Sequence, residues 1–145
     1  MSQRVVPRTT GGRKGTKAAM VQNALNGWDL RSLDFVFIEN VGSLVYPSSY
    51  DFGKGLRFVL LAVTAGEDKP LTYPTRFKHA DATIVTKSDL ADAVECDGAA
   101  AGRNIQTVWP GMEVFRPSAK TGEGIKEFLG FLENWRTRFR AAAAV

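Results

Sequence analysis

The chain has 145 residues, a formal charge of +4 and a sequence pI of about 9.4. Hydrophobic residues make up 44% and charged residues 23%, an ordinary globular balance, so residues 1–145 read as a single domain. A single cysteine, Cys96, excludes an internal disulfide and fits a reducing cytoplasm; with a single histidine, His79, it also excludes a self-contained four-ligand His/Cys metal site. No apolar run approaches the roughly 20 residues of a membrane helix, and the N-terminal ten residues lack the apolar core of a signal peptide. The mild basicity suits an anionic partner such as a nucleotide. Arginines cluster only at Arg136, Arg138 and Arg140, with no recognition motif, which argues against nucleic acid.

Taken in chain order, Val5 and Val6 are a candidate strand at the extreme N-terminus. Next comes the glycine-rich, basic stretch TTGGRKGTKAAM, Thr9 to Met20. It holds the ingredients of a phosphate loop in the wrong order, because that loop needs Gly-Lys-Ser/Thr and the chain has Lys14-Gly15-Thr16-Lys17. Lys17 to Leu25 reads as a helix. Asp34 to Asn40 (DFVFIEN), Leu56 to Gly66, Ala82 to Leu90 and Met112 to Gly124 each read as strands. Their apolar runs are continuous rather than alternating, the pattern of parallel strands buried on both faces. Tyr73 to Ala80, opened by Pro74, and Ala99 to Val108, stopped by Pro110-Gly111, are shorter helices. From Gly124 onward Ile125, Phe128, Leu129, Leu132, Trp135 and Phe139 recur at helical spacing. Strands alternating with helices predict an α/β fold with a mostly parallel sheet flanked by helices.

Ligands of such sheets bind beyond the carboxyl ends of the strands, so the residues that follow each strand are the candidates. These are Glu39, Asn40, Val41 and Gly42; then Thr86, Lys87, Ser88 and Asp89; then Ser118, Ala119, Lys120, Thr121 and Gly122. Guanine presents two N–H donors on one edge, and a carboxylate at Asp89 can accept both, whereas adenine cannot supply them. The alkyl stems of Lys87 and Lys120 can lie on the two ring faces, and the Ala119 backbone N–H can donate to the guanine carbonyl. Taken singly, Asp89 would be a helix cap and Ser118-Ala119-Lys120 a plain turn. Together, at the ends of consecutive strands, they match the [NT]-K-x-D and S-A-K motifs by which GTPases read guanine.

The segments TTGGRKGTKA, FIENVGSLVYPSSYDFGKGLRFVLLAVTAGEDKPLTYP, TKSDL and SAKTGEGI occur in this order from about Val5 to Trp135. They closely resemble the HypB family, the nickel-incorporation GTPases of [NiFe]-hydrogenase maturation. The resemblance implies the C-terminal part of a P-loop NTPase fold, binding of GTP or GDP with Mg²⁺, slow hydrolysis, nucleotide-linked dimerisation and a HypA-like maturation partner. It makes Glu39 and Gly42 the switch motif E-x-x-G. It assigns nucleotide binding to Thr86, Lys87, Asp89, Ser118, Ala119 and Lys120. It gives Lys69-Pro70 a structural or dimer-interface role. The family's P-loop lies upstream of the resembling region, so its Lys, its Mg²⁺-binding hydroxyl and the first acidic switch residue are expected to be missing. The nickel or zinc ligands of the family fall on Lys14, Gly15 and Tyr46, which supply neither thiolate nor imidazole, so that metal site is expected to be lost. Two readings follow: a GTPase completed by a separate P-loop chain, or a non-catalytic homologue acting as a protein-interaction module. The same resemblance predicts an exposed sheet edge, and with it self-association or dependence on another chain.

Overall fold

Three of the four expected strands form one parallel sheet in a computed structural model of the chain, which describes residues 18–39, 55–94 and 97–143. They are β1 (Phe58–Ala62), β2 (Ala82–Thr86) and β3 (Glu113–Phe115), in the order β1-β2-β3. All three belong to one compact unit, Lys54–Val145, while Met1–Gly53 forms another.

Pairing of Phe58 with Ala82 and of Ile84 with Phe115 fixes the register. Side chains alternate along each strand, so the sheet has two apolar faces. One carries Phe58, Leu60, Ala82, Ile84 and Phe115. The other carries Val59, Leu61, Thr83, Val85 and Val114. Central β2 is buried along Ala82 to Val85, as its unbroken apolar run predicts. The edge strands depart from that expectation. Leu60 in β1 is 63% exposed, and Glu113 in β3 is exposed. An edge strand has a sheet neighbour on one side only, so continuous hydrophobicity does not guarantee cover.

The second face packs on α3 (Pro74–Lys78) and α4 (Gly98–Val108). There Leu61, Val63, Val85, Phe77, Ile105 and Met112 form the buried cluster. The first face packs on α5 (Ile125–Ala143). Phe58 and Phe115 meet Phe128 and Phe131 with ring centroids 4.9 to 6.3 Å apart, mostly edge to face. That is the arrangement that brings a ring's positive edge to another's negative face. The small, fully buried Ala82 is the register partner of Phe58 in this layer. Two helical layers around one parallel sheet confirm the α/β reading.

Local signals explain the helix ends. Asp97 caps α4, accepting from Ala99 N at 2.8 Å and Ala100 N at 2.9 Å. Gln106 ties the far end of α4 to the turn before β3, donating to Met112 O and accepting from Gly111 N, each at 2.8 Å. The four-residue helix α2 (Lys69–Thr72), in the DKP segment, was not expected from the sequence. Its first turn admits Pro70 because the N–H that proline lacks would be unpaired there. Among the described residues no helix is long and apolar enough to cross a membrane.

In the unit Met1–Gly53 the helix expected from Lys17 is α1 (Ala18–Leu25). Asp29 then caps a single 3₁₀ turn, Leu30–Ser32, accepting from Arg31 N at 3.2 Å. The strand expected over Asp34 to Asn40 does not form: residues 34–39 are irregular, and Phe37 is 70% exposed. A strand exists only through a ladder partner, and none pairs with this run among the described residues. Instead Phe35 and Phe37 stack on each other at 6.0 Å. The candidate strand at Val5-Val6 lies outside the described residues.

Candidate functional site

Because the strands are parallel, the segments that follow β2 and β3 leave the same edge of the sheet side by side. The chain leaves β2 through Thr86 into Lys87, whose φ of 60° and ψ of 35° are left-handed. A residue with a Cβ pays roughly 1–2 kcal/mol for that conformation, so the surrounding turn must hold it. Two hydrogen bonds do so: Leu90 N donates to Lys87 O at 2.9 Å and Ala91 N to Ser88 O at 3.2 Å. The turn leaves Lys87 and Asp89 exposed.

The β3 exit is built around Ser118, which is fully buried. Every polar group of this serine is engaged. Its N–H donates to Glu123 O at 2.9 Å and its carbonyl accepts from Gly122 N at 2.8 Å. Its hydroxyl donates to Asp89 Oδ1 at 2.8 Å and accepts from Thr121 N at 3.2 Å. The result is a closed hoop, Ser118 to Glu123, that presents Ala119, Lys120 and Thr121 to solvent. Gly124 completes it with φ 69°; a Cβ there would stand 2.7 Å from the Arg116 carbonyl oxygen. A second link joins the two loops, Ser88 Oγ donating to Arg116 O at 3.4 Å.

The six nucleotide-binding candidates, Thr86, Lys87, Asp89, Ser118, Ala119 and Lys120, therefore come from two adjoining strand exits bonded to each other. An exposed carboxylate held by a buried hydroxyl can accept N–H donors from a planar ligand edge. Ser88 and Thr121, strand-exit candidates in the sequence, serve here by hydrogen bonding the two loops together, and Arg116, whose only sequence signal is its place just before the second loop, joins them through its carbonyl. Glu39 lies in the other unit, exposed in an irregular stretch rather than at a strand end. Gly42, Lys14, Gly15 and Tyr46 lie outside the described residues, as does Cys96. Among the described residues no three His, Cys, Asp or Glu side chains cluster as metal ligands would.

The third strand exit, after β1, is pinned from α4: Asn104 Nδ2 donates to Glu67 O at 2.9 Å. At the start of α4, Asp97 also pairs with Arg103 at 3.1 Å. Its carboxyl is held below the usual range, first by the Ala100 N–H and further by Arg103 and the Ala99 N–H.

No protein-family model matches the chain. It is 43% identical to the hydrogenase maturation factor HypB of Azotobacter vinelandii over 125 residues, which is 86% of this chain and 41% of that protein. Among solved structures, HypB of Helicobacter pylori in complex with nickel superposes with a TM-score of 0.83 at 35% identity, over 90% of this chain and 62% of that one. The hydrogenase maturation factor HypB of Archaeoglobus fulgidus does so with a TM-score of 0.79 at 30% identity, over 88% and 62%. The chain is a homologue of the HypB hydrogenase maturation factors. Its parallel sheet between helices matches part of the P-loop GTPase fold of the HypB structures, as expected of the C-terminal part of that fold. It spans less than two thirds of the length of these HypB proteins.

Proposed function

We propose that the chain binds guanine nucleotide, GTP or GDP, and serves nickel insertion in hydrogenase maturation, the process named for its relatives. The observation that carries the binding reading is the bonded pair of loops, with Ser118 Oγ 2.8 Å from Asp89 Oδ1. In this reading Asp89 accepts the ring N–H and the exocyclic amine of guanine. The Ala119 N–H donates to the base carbonyl, and Lys87 and Lys120 lie against the two ring faces. Thr86 closes the strand below. Adenine presents an acceptor where Asp89 requires a donor and is rejected, since an unpaired buried polar edge weakens binding severely. In this reading the two bonded loops hold the base alone. In this reading the phosphates and Mg²⁺ are held by other parts, a P-loop among them, from the same protein or from a complementing chain.

A second reading has its own support. Leu60 and Leu129 are 63% and 50% exposed, on β1 and on the helix packed beside it. Apolar surface of this kind suits a protein contact, so a non-catalytic module engaging a second copy or a HypA-like partner is the alternative.

Titration with fluorescent GDP in Mg²⁺, with ADP as competitor and Asp89→Ala as control, tests the first reading. Guanine-selective binding lost in Asp89→Ala is expected. A folded chain that binds GDP and ADP equally, or neither, refutes it.

A further inference from the structure

Arg116 lies between β3 and the Ser118 hoop, and its two ends do different things. Its main-chain carbonyl accepts from Ser88 in the other loop at 3.4 Å. Its side chain turns to α4, where Nη2 donates to Gly98 O at 2.9 Å. The guanidinium crosses the helix at Gly102: a Cβ at that position would come within 2.5 Å of Nη2. Glycine in a helix interior is unfavourable, and here it leaves the notch that the arginine fills. The carbonyl is confined from its other side by the close approach of Gly124. Arg116 thus makes contacts from both its main chain and its side chain, at the residue from which the hoop departs.

Resting on the guanine-site reading above, we propose that Arg116 is a positioning residue for base recognition. Its grip on α4 through the Gly102 notch sets the β3 exit, so that Ser88 and Ser118 hold Asp89 at the guanine edge. The recognition depends on where Asp89 stands relative to two N–H donors. Release of Arg116 therefore weakens discrimination of the exocyclic amine more than it weakens general nucleotide affinity.

The two substitutions that release it act oppositely on the helix. Arg116→Ala removes the donor. Gly102→Ala fills the notch and moves the guanidinium, yet favours the helix. GDP and IDP, which differ only in the exocyclic amine, are titrated against the whole chain and both variants, with melting temperatures recorded. The expected result is a loss of about tenfold in GDP affinity in both variants, the scale of one charge-assisted hydrogen bond. The GDP-to-IDP preference should fall toward one in both, while Gly102→Ala melts no lower than the parent. Arg116→Lys, which keeps a donor, should retain part of the preference. A preference unchanged in Arg116→Ala and Gly102→Ala overturns the role, as does a loss of affinity that only follows lowered melting temperature. If the unmodified chain does not prefer GDP to ADP, the base-site reading itself has failed, and Arg116 has no guanine to position.

Discussion

Replacing Ser118 by Ala removes one oxygen from the centre of the bonded loops. The hydroxyl lies in a fully buried residue and serves two partners, Asp89 Oδ1 at 2.8 Å and Thr121 N at 3.2 Å. A hydrogen bond to a charged group contributes about 1.5–3 kcal/mol, and one between neutral groups about 0.5–1.5 kcal/mol. Asp89 is exposed and regains water, so its share lies at the low end. The Thr121 N–H and the small void add to the cost. The sum is about 2–3 kcal/mol, which lowers the melting temperature by roughly 4–12 °C for a chain of this size. A double-mutant cycle with Asp89→Ala, followed by thermal melting, isolates the pair. It should return a coupling of about 1.5 kcal/mol between Ser118 and Asp89. Ser118→Ala should also reduce GDP affinity, because the carboxylate is no longer oriented. Strictly additive stabilities with unaltered GDP affinity would refute the idea that the hydroxyl holds Asp89.

Two further predictions concern stability. Thr83 is fully buried in β2, and its hydroxyl has no hydrogen-bond partner among the described residues; Thr83→Val keeps the shape, removes the orphan group and should raise stability by about 1–2 kcal/mol, read as a higher denaturation midpoint. Asp97 has its pKa lowered in the folded chain, so its contribution is present above the unfolded value of about 3.9 and is lost as pH falls through the lower folded value. Asp97→Asn retains a capping oxygen without the charge, and its stability should decline less steeply than the parent's below pH about 4; identical acid profiles would show that the carboxylate charge contributes nothing.

The sequence disclosed the sheet through its three continuous apolar runs, because central strands of a parallel sheet need apolar side chains on both faces. It placed the two bonded strand-exit loops because Thr86-Lys87-Ser88-Asp89 and Ser118-Ala119-Lys120 follow those runs directly. It misplaced a strand over Asp34 to Asn40, since hydrophobicity reports what a strand would bury and says nothing of whether a ladder partner exists. The apolar run of β1 likewise gave no warning that Leu60 is left exposed at an edge. Asp97, standing just before Gly98-Ala99-Ala100-Ala101, was a readable helix cap that went unused. The contact between Arg116 and Gly102 was invisible: the two are 14 positions apart (116 minus 102) and meet only once β3 and α4 are packed.

The central claim is that Asp89 reads the guanine edge, and inversion of base preference tests it most directly. Xanthine replaces the exocyclic amine of guanine with a carbonyl, so it needs a donor where guanine needs an acceptor. Asp89→Asn supplies that donor with almost no change of shape. GDP and XDP are titrated against the whole chain and the variant in Mg²⁺. The account predicts that the parent prefers GDP and that Asp89→Asn prefers XDP. A variant that keeps the parent's preference would contradict it, because the base would then be read by some other group.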